Sequence, residues 1–112
     1  FFTIHAKLEE LYDGVAEEID AVAERILMLG ERPLASMADY LKYAELEEAP
    51  SEAIQSDELA KVLLKDFQTL INNLRAGIEV AQEVGDEVTV DMMIGSLSNL
   101  EKSVWMLDAF LK

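Results

Sequence analysis

The chain has 112 residues, enough for one domain, and its 51% apolar composition rules out intrinsic disorder. Nine basic residues against 23 acidic ones leave a formal charge of −14, which repels nucleic acid backbones and anionic membranes and selects cations or basic proteins as partners. There is no cysteine, so thiolate metal sites and disulfides are excluded; a reducing, cytoplasmic setting fits, and no stretch is apolar enough to span a membrane.

From about Thr3 to Leu29, apolar residues recur three and four apart at Ile4, Leu8, Leu11, Val15, Ile19, Val22, Ile26 and Leu29. That spacing predicts one long amphipathic helix. Gly30 is placed to end it, and Pro33 prevents resumption. Ser36 is a good N-cap for a short helix through Met37, Tyr40, Leu41 and Ala44. The segment from Glu47 to Ser56, with Pro50 and two serines, reads as a loop.

A third segment starts near Ser56 or Asp57 and carries Leu59, Val62, Leu63, Phe67, Leu70, Ile71, Leu74, Ile78 and Ala81 at the same period. Gly85 ends it, and Asp86 caps a last helix through Val90, Met93, Ile94, Leu97, Leu100, Val104, Leu107 and Leu111. The fold class is therefore all-α, with three long helices of about 25 residues, or about 38 Å, and one short one. The tight last connection predicts antiparallel packing of the final pair. The linker of about 27 residues between the first and third helices can cross the length of a bundle. Such a crossover, carrying a short helix, marks the ferritin-like four-helix arrangement. The chain opens on Phe1-Phe2, without methionine and already inside a helical pattern. This predicts that the bundle's first helix lies upstream, and that residues 1–112 form a single domain lacking it.

The first helix carries a second stripe that the core does not explain. At 100° per residue, His5, Glu9, Asp20 and Glu24 cluster roughly 135° from the apolar face. His5 and Glu9 are i,i+4 neighbours, as are Asp20 and Glu24, so each pair can offer two ligand atoms to one cation. Imidazole with carboxylates and no thiolate suits iron, manganese or zinc. Glu9 and Asp20 are about 16 Å apart along the helix, too far to share one ion. Two copies packed antiparallel about a two-fold axis near positions 14–15 remove the difficulty, because His5 and Glu9 of one then meet Asp20 and Glu24 of the other. Ala16, small and on the stripe, permits the approach. An acidic helix face with one histidine is also what ordinary solvation produces, and geometry alone leaves both readings open.

Three runs decide between them by resemblance: Phe1-Phe2-Thr3-Ile4-His5-Ala6-Lys7-Leu8-Glu9-Glu10-Leu11-Tyr12, Ile19-Asp20-Ala21-Val22-Ala23-Glu24-Arg25-Ile26, and Leu29-Gly30. They resemble the second helix of the Dps family of mini-ferritins, and Val104-Trp105-Met106-Leu107 resembles its terminal helix. The resemblance implies that His5, Glu9, Asp20 and Glu24 are the metal-binding and catalytic residues of a di-iron ferroxidase site shared between two subunits. Glu9 stands where the family often has Asp, and a further family histidine belongs to a helix upstream of this chain. The implied activity is oxidation of Fe(II) to Fe(III) by hydrogen peroxide or dioxygen, with ferric oxide stored in a dodecameric shell and oxidative damage limited. Glu83, Asp86, Glu87 and Asp91, at the last turn, are either solvated acids or, repeated about a three-fold axis, a cation entry pore, as acids in this region are in the family.

Two other functions compete: DNA condensation, for which the chain shows no basic tail, and a non-catalytic acidic interaction module. Trp105, Tyr12 and Tyr40 read as core or interface aromatics, with radical quenching an alternative for Trp105. The five methionines read as packing material.

Overall fold

A computed structural model describes residues 2–112. These residues form four helices and no strand: α1 (Phe2–Met28), α2 (Met37–Tyr43), α3 (Ser56–Glu83) and α4 (Glu87–Leu111). The all-α expectation holds, with boundaries one or two residues from those read off the sequence. The chain divides into two compact units, one ending at Glu45 and the other running Leu46–Lys112.

In the first unit, α1 ends in a Schellman motif. The Glu31 amide donates to the Ile26 carbonyl (3.1 Å) and the Gly30 amide to that of Leu27 (3.0 Å). Gly30 has φ +90°, a left-handed conformation that a side chain would strain. The Ser36 hydroxyl caps α2 by accepting from the Asp39 amide at 3.2 Å, as its position predicts. No residue of α1 or α2 is fully buried.

The second unit is an antiparallel hairpin of α3 and α4. Gly77 faces Met93 across the seam, where a Cβ at position 77 would come within 3.0 Å of the Met93 sulfur. Two residues further from the turn on α3, Arg75 reaches Glu101 at 3.5 Å. The core of the hairpin is Ala60, Phe67, Ile71 and Ala81 from α3 with Leu97 and Leu107 from α4. Periodicity selects all of these except Ala60, which is too small to stand out in a hydrophobic pattern. Thr89, a polar residue, is buried with them.

The turn between the helices is short because two motifs overlap in it. The Asp86 amide donates to the Ala81 carbonyl (2.9 Å) and the Gly85 amide to that of Gln82 (3.1 Å), which closes α3. The Asp86 carboxylate then accepts from the Thr89 amide at 3.1 Å and opens α4. One residue thus satisfies orphan groups of both helices, and the chain reverses direction with Gly85 alone at positive φ.

Candidate functional site

The four residues singled out by the sequence all lie on α1, a helix of 27 residues with no proline to kink it. His5, Glu9, Asp20 and Glu24 are all exposed. Regular helix geometry keeps the members of each i,i+4 pair on one face, a single turn apart. It also holds the two pairs apart, with about 16 Å of rise between Glu9 and Asp20. Among the described residues, no group of three or more histidine or acidic side chains is gathered closely enough to hold a metal ion. One chain therefore presents two separate pairs of side chains rather than one cluster.

The electrostatics of α1 sharpen the picture. Its only basic residues are Lys7 and Arg25, and both lie roughly 150° round the helix from the centre of the ligand stripe. Lys7 donates to Glu10 at 3.1 Å, within its own side of the helix. The stripe thus collects three carboxylates and an imidazole with no lysine or arginine on that face to neutralise them. Such a face is complementary to divalent cations, whose charge it lacks.

The second unit shows no comparable set of ligands. A groove between α3 and α4 is lined by Leu64, Ile71, Val104 and Trp105, with Arg75 and Glu101 among its polar residues. Trp105 is not a core residue of this chain, because it is 66% exposed on the rim of that groove. Tyr12 and Tyr40 are exposed as well, at 75% and 42%. Of the four turn acids, Asp86 is engaged as a helix cap through both carboxylate oxygens, while Glu83, Glu87 and Asp91 lie exposed. The sequence reading gave Asp86 as the cap of the last helix, which the structure bears out, and also counted it among the turn acids. No helix among the described residues is long and apolar enough to cross a membrane.

Known proteins match this arrangement along its whole length. The sequence pattern of the ferritin-like domain family covers residues 1–112. A DNA protection during starvation protein from Porphyromonas gingivalis is 47% identical over 110 residues, which is 98% of this chain and 69% of that protein. DNA protection during starvation protein 2 from Bacillus anthracis is 41% identical over 111 residues, or 99% of this chain and 75% of the relative. Among solved structures, a Dps protein from Bacillus brevis superposes with a TM-score of 0.95 at 41% identity, covering all of this chain and 74% of its own. A Dps protein from Vibrio cholerae O1, described as a member of a broad superfamily of ferritin-like diiron-carboxylate proteins, also gives 0.95 at 41% identity, covering 100% of this chain and 70% of its own.

Proposed function

The chain belongs to the Dps family of ferritin-like proteins, and from that premise we propose that it is a ferroxidase that oxidises Fe(II) and stores the ferric product. The observation that carries this reading is the α1 stripe, with two candidate ligand pairs at i,i+4 spacing and no lysine or arginine on that face. His5 and Glu9 of one subunit, with Asp20 and Glu24 of the partner subunit, form one composite site, and each two-fold dimer holds two.

The donor set suits the chemistry. Three carboxylates and one imidazole would bind Fe(II) and favour the harder Fe(III), so iron held at the site is easier to oxidise than iron in water. Two Fe(II) ions each give up one electron. One molecule of hydrogen peroxide accepts both with two protons and leaves as two waters. Few protein ligands per ion leave positions open for the oxidant and for departure of the product. The ferric ions then hydrolyse and collect on carboxylates inside a dodecameric shell, for which a chain of charge −14 supplies acids in excess.

Oxidising iron with peroxide protects DNA chemically, by removing together the two reagents that generate hydroxyl radicals. That reading is compatible with the names of the relatives and with the net charge, which opposes direct binding to a polyanion. A cytoplasmic location belongs to the same proposal. The decisive experiment follows Fe(II) loss and peroxide loss together in the assembled protein. Two Fe(II) consumed per peroxide, with ferric mineral eluting at the mass of a hollow dodecamer, is the expected result. Stoichiometric radical release, or a monomeric mass in light scattering, counts against it.

A further inference from the structure

Gly77 lies in the interior of α3, where glycine weakens a helix relative to alanine. Its φ is not positive, so the backbone does not require it. Gly30 and Gly85 serve left-handed turns, and nothing lies within 4 Å of where a Cβ would stand at Gly14 or Gly95. Gly77 is the one glycine among the described residues whose Cβ would meet a neighbour. It would stand 3.0 Å from both the sulfur and the terminal methyl of Met93. The missing side chain of Gly77 is thus a berth for the Met93 thioether.

Met93 holds a particular place along the seam. Thr89 lies one turn nearer the loop on the same face of α4, and Leu97 one turn further from it. Both of these are buried, whereas Met93 between them is only half-buried. The residue is therefore packed against α3 and still open in part to solvent. A thioether sulfur in that position is within reach of a small oxidant.

The oxidation is simple to balance. The sulfur lone pair takes one oxygen of hydrogen peroxide, the O–O bond breaks, and the other oxygen leaves as water with both protons. Sulfur loses two electrons and peroxide gains them. The sulfoxide carries a polar oxygen into a berth whose amides already bond within α3. The Thr89 hydroxyl, one turn away, already donates to Asp86.

We propose that Met93 is a peroxide-sensitive latch at the turn end of the α3–α4 hairpin. Hydrogen peroxide converts its thioether to the sulfoxide, and the oxidised side chain leaves the Gly77 berth for solvent. The seam then loses the packing next to the turn, and the two helices loosen there. The end of the side chain is flexible, so release needs no unfolding of either helix. The latch goes beyond the ferroxidase reading and uses none of its ligands.

The test uses the assembled protein with hydrogen peroxide and no iron, so its result does not depend on the ferroxidase reading. Peptide mass mapping follows the gain of oxygen at each methionine, and hydrogen exchange follows the amides of residues 77–93. Oxidation of Met93 should lower the melting temperature by about 4 °C or more and speed exchange in that segment by about tenfold. Met93→Leu conserves volume without a sulfur, so it should fold as the parent does and show neither change. Met28, Met37, Met92 and Met106 are present in both proteins and control for oxidation elsewhere. In Gly77→Ala the new methyl displaces the end of Met93, which should then oxidise several-fold faster than in the parent.

Equal loss of stability in the parent and Met93→Leu would place the damage elsewhere and overturn the latch. So would a Met93 that stays a thioether after the other methionines have converted, or an oxidised Met93 with unchanged melting and exchange. Oxidation of Met93 no faster in Gly77→Ala than in the parent removes the berth on which the latch depends.

Discussion

The Asp86 carboxylate accepts from both the amide and the hydroxyl of Thr89, and Thr89 is the one buried polar residue among the described residues. The pair fixes the first turn of α4 and gives the buried Thr89 hydroxyl an acceptor. Replacement Asp86→Ala should therefore cost about 1–2 kcal/mol. On a domain of this size that lowers the melting temperature by about 4–8 °C per kcal/mol. Asp86→Asn, which keeps an acceptor, should recover most of the loss. Thermal denaturation followed by circular dichroism decides the matter, and an Ala variant melting with the parent would remove the cap from the account.

Gly85 tests the same turn from its backbone side. At φ +73° it occupies the left-handed region, and nothing lies within 4 Å of where its Cβ would be. Gly85→Ala is thus strained by conformation alone, at about 1–2 kcal/mol. Gly85→Asn should be better tolerated than Gly85→Ala, because asparagine enters this region more readily. The reverse order in urea denaturation would contradict the backbone argument.

On the chemistry, His5→Ala or Asp20→Ala should each slow peroxide-dependent Fe(II) oxidation by about tenfold or more, the usual scale for losing an acid–base or metal-binding group. Both side chains are exposed, so the helical signal should not change. Wild-type rates in both variants would show that these residues are not the site.

Sharing of the site between chains has its own test. One subunit carries His5→Ala with Glu9→Ala, and another carries Asp20→Ala with Glu24→Ala. Alone, either leaves every composite site half-built. In a mixed dimer one site loses all four ligands and the other keeps all four, so co-expression should return a substantial fraction of the activity. A site contained in one chain cannot be rescued in this way. No recovery, with assembly confirmed, would refute the two-chain geometry.

Much of this protein is decided by residues close together in sequence, and that part was legible before any coordinates. Helix ends depend on neighbours three to five residues away. Gly30, Ser36, Gly85 and Asp86 therefore announced the caps that the structure contains. The common face of His5, Glu9, Asp20 and Glu24 was legible for the same reason, since i,i+4 spacing on a straight helix fixes which side chains share a face. Tertiary packing decided what local rules do not carry. Ala60 is fully buried while Val62 and Ile94 stay exposed, because the α3–α4 seam admits only one side of each helix. Thr89 lies inside because the Asp86 carboxylate satisfies its hydroxyl, and that contact removes Asp86 from the set of turn acids available to cations. Trp105, apolar enough for a core, stands on the rim of a groove. The proposed metal site lies beyond both levels, since Glu9 and Asp20 are held about 16 Å apart on one helix and the proposal needs a second chain to close that distance.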